Sequence, residues 1–132
     1  MNRMFAVIFS TLGLLYAASL SAHHSLGATY NVSETVELKG EIAQFLFRNP
    51  HSYLHVMAPD ANGVMQRWSL EWRDAGSLRE QGMGREVLGV GDEVTITMYP
   101  SRSKEDYRGA LVTLHRESDG LGWGTREGEV VE

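Results

Sequence analysis

The chain has 132 residues, with 17 acidic against 12 basic side chains and a net charge of −5. That acidic balance argues against nucleic acid or an anionic lipid surface as a partner. No cysteine is present, which excludes disulfides and thiolate metal sites, and the length suits one domain with a modest core.

The first element is an export signal. Arg3 supplies a positive start, Met4 to Tyr16 is almost wholly apolar, and small residues follow at Ala17, Ala18, Ser19, Ser21 and Ala22. The apolar run is shorter than the roughly 18–20 residues that span a bilayer. We therefore expect residues 1–22 to be removed, with no stable membrane insertion afterwards and a periplasmic or secreted location. Cleavage after Ala22 makes His23 the first residue, with Leu20, larger than ideal, three positions before the cut; cleavage after Ser21 puts Ser19 there and leaves Ala22 first. The processed chain, about 110 residues long, keeps 11 basic and 17 acidic residues, a net of −6.

Residues 23–34 are polar and irregular. Thr35 to Arg48 alternates, with Val36, Leu38, Gly40 and Ile42 on one face, and loses phase near Ala43. The pattern predicts a long first strand, bent at Gly40 or by a bulge near Ala43. Asn49-Pro50 marks a turn. A second strand follows with Leu54 and Val56 inward and Tyr53 and His55 outward; Pro59 to Gly63 is a hairpin turn, and Gln66 to Arg73 is a third strand with Trp68, Leu70 and Trp72 inward. Asp74 to Leu88 has broken helical character, with a capping box at Ser77 and Glu80 and a stop at Gly82. A fourth strand runs Glu93 to Tyr99, and a charged loop leads to a fifth at Ala110 to His115. The tail, residues 117–132, is Gly-rich and acidic and is expected to be loose. Three strands, a short helical connection and two more strands make an all-β domain over residues 23–116. The order is that of a small five-stranded OB-like Greek-key barrel, with a cradle-type barrel or small open sandwich as the alternative.

The motifs also carry a resemblance. His23-His24-Ser25 behind an export signal, Asn49-Pro50-His51 at a first turn, a Trp-rich third strand and Gly91-Asp92 before a fourth occur here in order. The chain resembles, from about His23 to Leu114, a family of short exported bacterial proteins whose domain has no established function. The resemblance implies an OB-like barrel and brings no activity, substrate or catalytic residue. Leu20 departs from the small residue usual in that family three positions before the cut.

Two constellations could carry chemistry. If His23 becomes the N-terminus, its α-amine and imidazole can chelate one metal ion, and a third imidazole would complete a T-shaped set of nitrogens suited to Cu(II). His51, in a loop that the N-terminus could reach, is the best third ligand; His24 is an alternate and His115 a reserve. His51 and His55 lie about 13 Å apart on an extended segment and cannot share an ion. A mobile polar tail without a metal is the competing reading of the His pair. The second constellation is the outer face of strands two and three with its flanking loops. Asn49, His51, Tyr107 and Arg108 would form its rim, and Tyr53, His55, Arg67, Ser69, Glu71 and Arg73 its floor, suited to a sugar, a peptide end or an anion. An ordinary solvated sheet face competes with it. Trp68 and Trp72 are expected in the core. There is no Gly-rich phosphate loop, G-x-S-x-G or H-E-x-x-H. The expectation is a binding module rather than an enzyme, with copper as the one candidate cofactor and a small ligand or an envelope protein as the alternative partner. An enzyme would have to use the same histidine chemistry with an oxidant.

Overall fold

The computed structural model describes residues 26–124; the stretch expected to be an export signal, its expected cleavage region with His23 and His24, and residues 125–132 of the tail lie outside the described residues. The described elements are α1 (Leu26–Thr29), β1 (Val36–Leu46), β2 (Tyr53–Pro59), β3 (Met65–Glu71), α2 (Ala75–Glu80), β4 (Glu93–Pro100), β5 (Arg108–Arg116) and β6 (Leu121–Gly124).

The alternation read from the sequence is the alternation that packs. Leu38 and Ile42 on β1, Leu54 and Val56 on β2, Leu70 on β3, Val94, Ile96 and Met98 on β4, and Leu114 on β5 all point into one core and are buried. Each such side chain contributes about 1.5–3 kcal/mol on leaving water. β1 is long enough to pair twice, with β2 through its second half and with β4 through its first. Its bend is a bulge: the register with β2 shifts between Ile42 and Gln44, leaving Ala43 as the extra residue. That shift resets the phase, so Phe45 and Phe47 can join the core side after Ile42. Gly40 is required for another reason: a Cβ there would collide with the Met57 carbonyl oxygen on β2.

Antiparallel pairs join β3–β2, β2–β1, β1–β4 and β4–β5, and a short parallel pairing of Ser69–Glu71 with Arg108–Ala110 closes the circle. This is a closed, mixed five-stranded barrel of the OB-like kind expected. α2 lies in the β3–β4 connection and buries Leu78 and Ala75 against the core.

Two expectations are corrected. The helix is not capped by a Ser77–Glu80 box. Asp74 is the N-cap, in an extended conformation, and its carboxylate accepts from Ser77 N at 2.9 Å and Ser77 Oγ at 2.6 Å. The cap falls three residues earlier because Arg73 is still held in the strand connection, where its carbonyl accepts from Ser52 N. The tail is also ordered further than expected. Leu121–Gly124 pair with Thr113–Arg116 as β6, after a turn in which Arg116 binds Asp119. β5 thus takes β3 as a parallel neighbour over its first residues and β6 as an antiparallel neighbour over its last.

Candidate functional site

The β1–β2 loop is rigidly tied. Ser52 is fully buried; its Oγ accepts from Arg48 N at 3.2 Å and donates to Arg48 O at 3.1 Å. Its backbone carbonyl accepts from Trp72 N, and Asn49 Oδ1 accepts from Ala75 N at 3.0 Å. Asn49, read from the sequence as part of a ligand rim, therefore spends its amide oxygen on the first residue of α2. The Asn49-Pro50 bond is cis. This scaffold turns His51 outward, with its side chain 54% exposed and Nδ1 3.3 Å from Glu71 Oε1.

Glu71 has a second partner that the sequence pattern did not reveal. Tyr30, from the irregular stretch ahead of β1, is buried and donates its hydroxyl to Glu71 Oε2 at 2.5 Å. Burial first, and then the hydrogen bond and charge of Glu71, push the Tyr30 phenol far above its ordinary value. The segment that carries Tyr30 is pinned along the β4–β5 loop. Asn31 N donates to Pro100 O, Arg102 N to Thr29 O, and Arg102 Nε to Gly27 O at 2.7 Å, while Tyr30 bridges to Ser101. The outcome is a Tyr30–Glu71–His51 chain. No periodicity in residues 23–34 could have flagged Tyr30, whose partners are far away in sequence.

Where β3 parts from β5 and β6 takes its place, an open groove of about 1300 Å³ runs across the outside of the barrel. Leu26 and Val32 line it on the N-terminal side, His51 and Glu71 on the loop side, and Trp72 and Trp123 on the side of β6. The Trp123 ring packs edge-on against Trp72 at 4.8 Å, and its Nε1 donates to Gln81 Oε1 at 2.8 Å.

The expected floor divides into two neighbourhoods. Tyr53 lies opposite Glu71, and His55 opposite Ser69. Arg67, opposite Met57, reaches across to donate to Gln44 Oε1 at 2.9 Å, and the Arg48 guanidinium sits 5.1 Å above the Tyr53 ring. Burial, followed by the positive charge of Arg67, lowers the pKa of His55, and its Nδ1 is buried without a partner. Arg108 pairs with Ser69 across the parallel seam. Tyr107 belongs elsewhere: its hydroxyl donates to Asp60 Oδ2 at 3.2 Å in the β2–β3 turn, and its ring meets the edge of Trp68. Trp72 is buried as expected, whereas Trp68 is half-buried and donates to Ala58 O. His115, the reserve ligand, pairs with Glu117 at 3.2 Å.

Among the described residues no group of three His, Cys, Asp or Glu side chains is assembled to hold a metal ion. No helix among them is long and apolar enough to cross a membrane. No curated protein and no solved structure matches the chain. Residues 13–109 match the model of a family of unknown function, DUF6152, and the chain belongs to that family.

Proposed function

We propose that this is an exported copper-binding protein, with a periplasmic or extracellular site built from a histidine that processing makes N-terminal. His23 would contribute its α-amine and its imidazole, and His51 the third nitrogen, with His24 as alternate. One observation carries the reading: Leu26 and His51 line the same groove. His23 is three residues before Leu26, so about 10 Å of extended chain separates them. The chemistry of His51 fits the role. Its Nδ1 lies 3.3 Å from Glu71 Oε1, and Glu71 in turn accepts from Tyr30, so Nε2 is the nitrogen we assign to a metal. A carboxylate behind the far nitrogen is the usual support of a ligating histidine. Amine and imidazole nitrogens in a tetragonal plane favour Cu(II) among the common divalent ions.

The test is a Cu(II) competition titration on two proteins, one beginning at His23 and one carrying a single Ala before it. The first is expected to bind tightly and the second to lose orders of magnitude in affinity, because the extra residue moves the amine out of the chelate ring. His51→Ala should weaken the first protein and leave the second unchanged. If both proteins bind weakly and alike, the histidine pair is a polar tail and the copper reading fails.

A further inference from the structure

We propose that the outer face of β2, between Arg48 and Arg67, is a binding site for a doubly charged oxyanion, a phosphate group. The inference concerns a different face from the copper reading and does not depend on it.

The face carries several donors. Arg48 stands over the Tyr53 ring from the β1–β2 loop, and Arg67 crosses from β3 over β2 toward β1. Between them lies His55, and both guanidinium charges act on it. Among the described residues neither arginine has a carboxylate within ion-pair distance, although the chain carries 17 acidic residues. Other arginines are also without carboxylates, but they are used locally: Arg85 donates to Phe47 O and Arg102 to Gly27 O. Arg67 spends one nitrogen on a neutral amide oxygen. That bond orients Gln44 so that its amide nitrogen remains a donor. Ser69, across from His55, adds a hydroxyl.

Two carboxylates share this outer face, Glu41 in the cross-strand row of Met57 and Arg67 and Glu71 opposite Tyr53, and neither is within ion-pair distance of the arginines. Glu71 accepts from Tyr30 with one oxygen, and the other lies 3.3 Å from His51 Nδ1. Guanidinium groups recognise oxyanions in a planar, two-donor fashion. Two of them on one sheet face match a dianion better than a monoanion. The environment of His55 supports the assignment. Its imidazole is partly desolvated, burial and then the charge of Arg67 lower its pKa, and it has a buried nitrogen without a partner. A bound dianion would offset the guanidinium charges and raise the imidazole pKa.

The experiment uses metal-free protein at constant, low ionic strength, followed by amide and imidazole NMR. Inorganic phosphate is expected to give saturable shifts at Gln44, Tyr53, His55 and Ser69, and to move the His55 titration to higher pH. Arg48→Gln and Arg67→Gln should each weaken binding at least tenfold, while Arg73→Gln on the groove side leaves it unchanged. Acetate, with the same donor-facing atoms but one charge, should bind more weakly. Glycerol phosphate serves as the second source: tighter saturation than by inorganic phosphate assigns a phosphomonoester, and the reverse assigns the free ion. Shifts that never saturate, an equal loss in Arg73→Gln, or acetate binding as tightly as phosphate would each overturn the site.

Discussion

At the scale of single residues, the Tyr30 hydroxyl is the contact on which the candidate copper site leans. It holds Glu71, whose other oxygen lies 3.3 Å from His51 Nδ1, and the same bond fastens the N-terminal segment to the barrel. A hydrogen bond from a buried hydroxyl to a carboxylate contributes about 1.5–3 kcal/mol. Tyr30→Phe keeps the ring and removes the bond, so it should lower the denaturant midpoint by the equivalent of about 2 kcal/mol with no change in m-value. The pH dependence gives a second readout. The phenol pKa is raised on folding, so its contribution to stability is complete below the ordinary value near 10 and is lost as pH rises above it. Wild-type stability should therefore fall above about pH 10, and Tyr30→Phe should flatten that fall. Equal alkaline loss in both proteins would show that other groups govern it. The sequence makes His51 conspicuous, through Asn49-Pro50-His51, but not the residues that position it. Tyr30 reaches Glu71 across a long sequence separation, Ser52 bonds back to Arg48 within its own loop, and a single buried hydroxyl leaves no periodic trace.

At the scale of elements, the strands with strict alternation were legible and the one without it was not. β1, β2 and β4 put apolar side chains inward at alternate positions, with Gly40 as the gap in β1, and that is enough for the sheet to choose a face. The bulge at Ala43 was visible too, because a phase slip is itself a pattern. β6 reads Leu-Gly-Trp-Gly, and two of its four positions carry no side chain. Its signal is Trp123 alone, which packs on Trp72 and bonds Gln81 of the segment after α2. Trp123→Ala removes both contacts at a half-buried position and should cost about 2 kcal/mol. The expected observation is a lower melting temperature together with faster amide exchange across Thr113–Arg116, the β5 residues paired with β6. Unchanged protection there would mean that β6 is held by its backbone ladder without the indole. The parallel β3–β5 closure was equally hidden: it spans three residues on each strand, and parallel pairing has no local sequence mark.

At the scale of the whole molecule, the carboxylates that hold the fold can be set against the proposed copper site. The Asp92 carboxyl is held below its ordinary value by the Gly89 amide and by Arg116, and Asp119 is lowered to about 2, first by Arg116. Backbone amides, Val64 first, lower Asp60, and the Ser77 hydroxyl and amide lower Asp74. All four are depressed on folding. Their contribution is therefore complete above the ordinary carboxylate range, near 4, and is lost only as pH falls through the folded values. A site of imidazole and amine nitrogens behaves differently, since protons compete with the metal from about pH 6 downward. Between about pH 4 and pH 5 the protein should thus be folded and without copper. Far-UV circular dichroism recorded beside the Cu(II) electron paramagnetic resonance signal tests this. The copper spectrum should convert to that of the free ion by about pH 5, with the dichroism unchanged until below about pH 4. Copper retained until the barrel unfolds would imply a site without titrating imidazoles, and would direct attention away from His23 and His51. If the two transitions stay separate, a fall in pH alone releases copper from an intact fold, as a protein that delivers the ion would require.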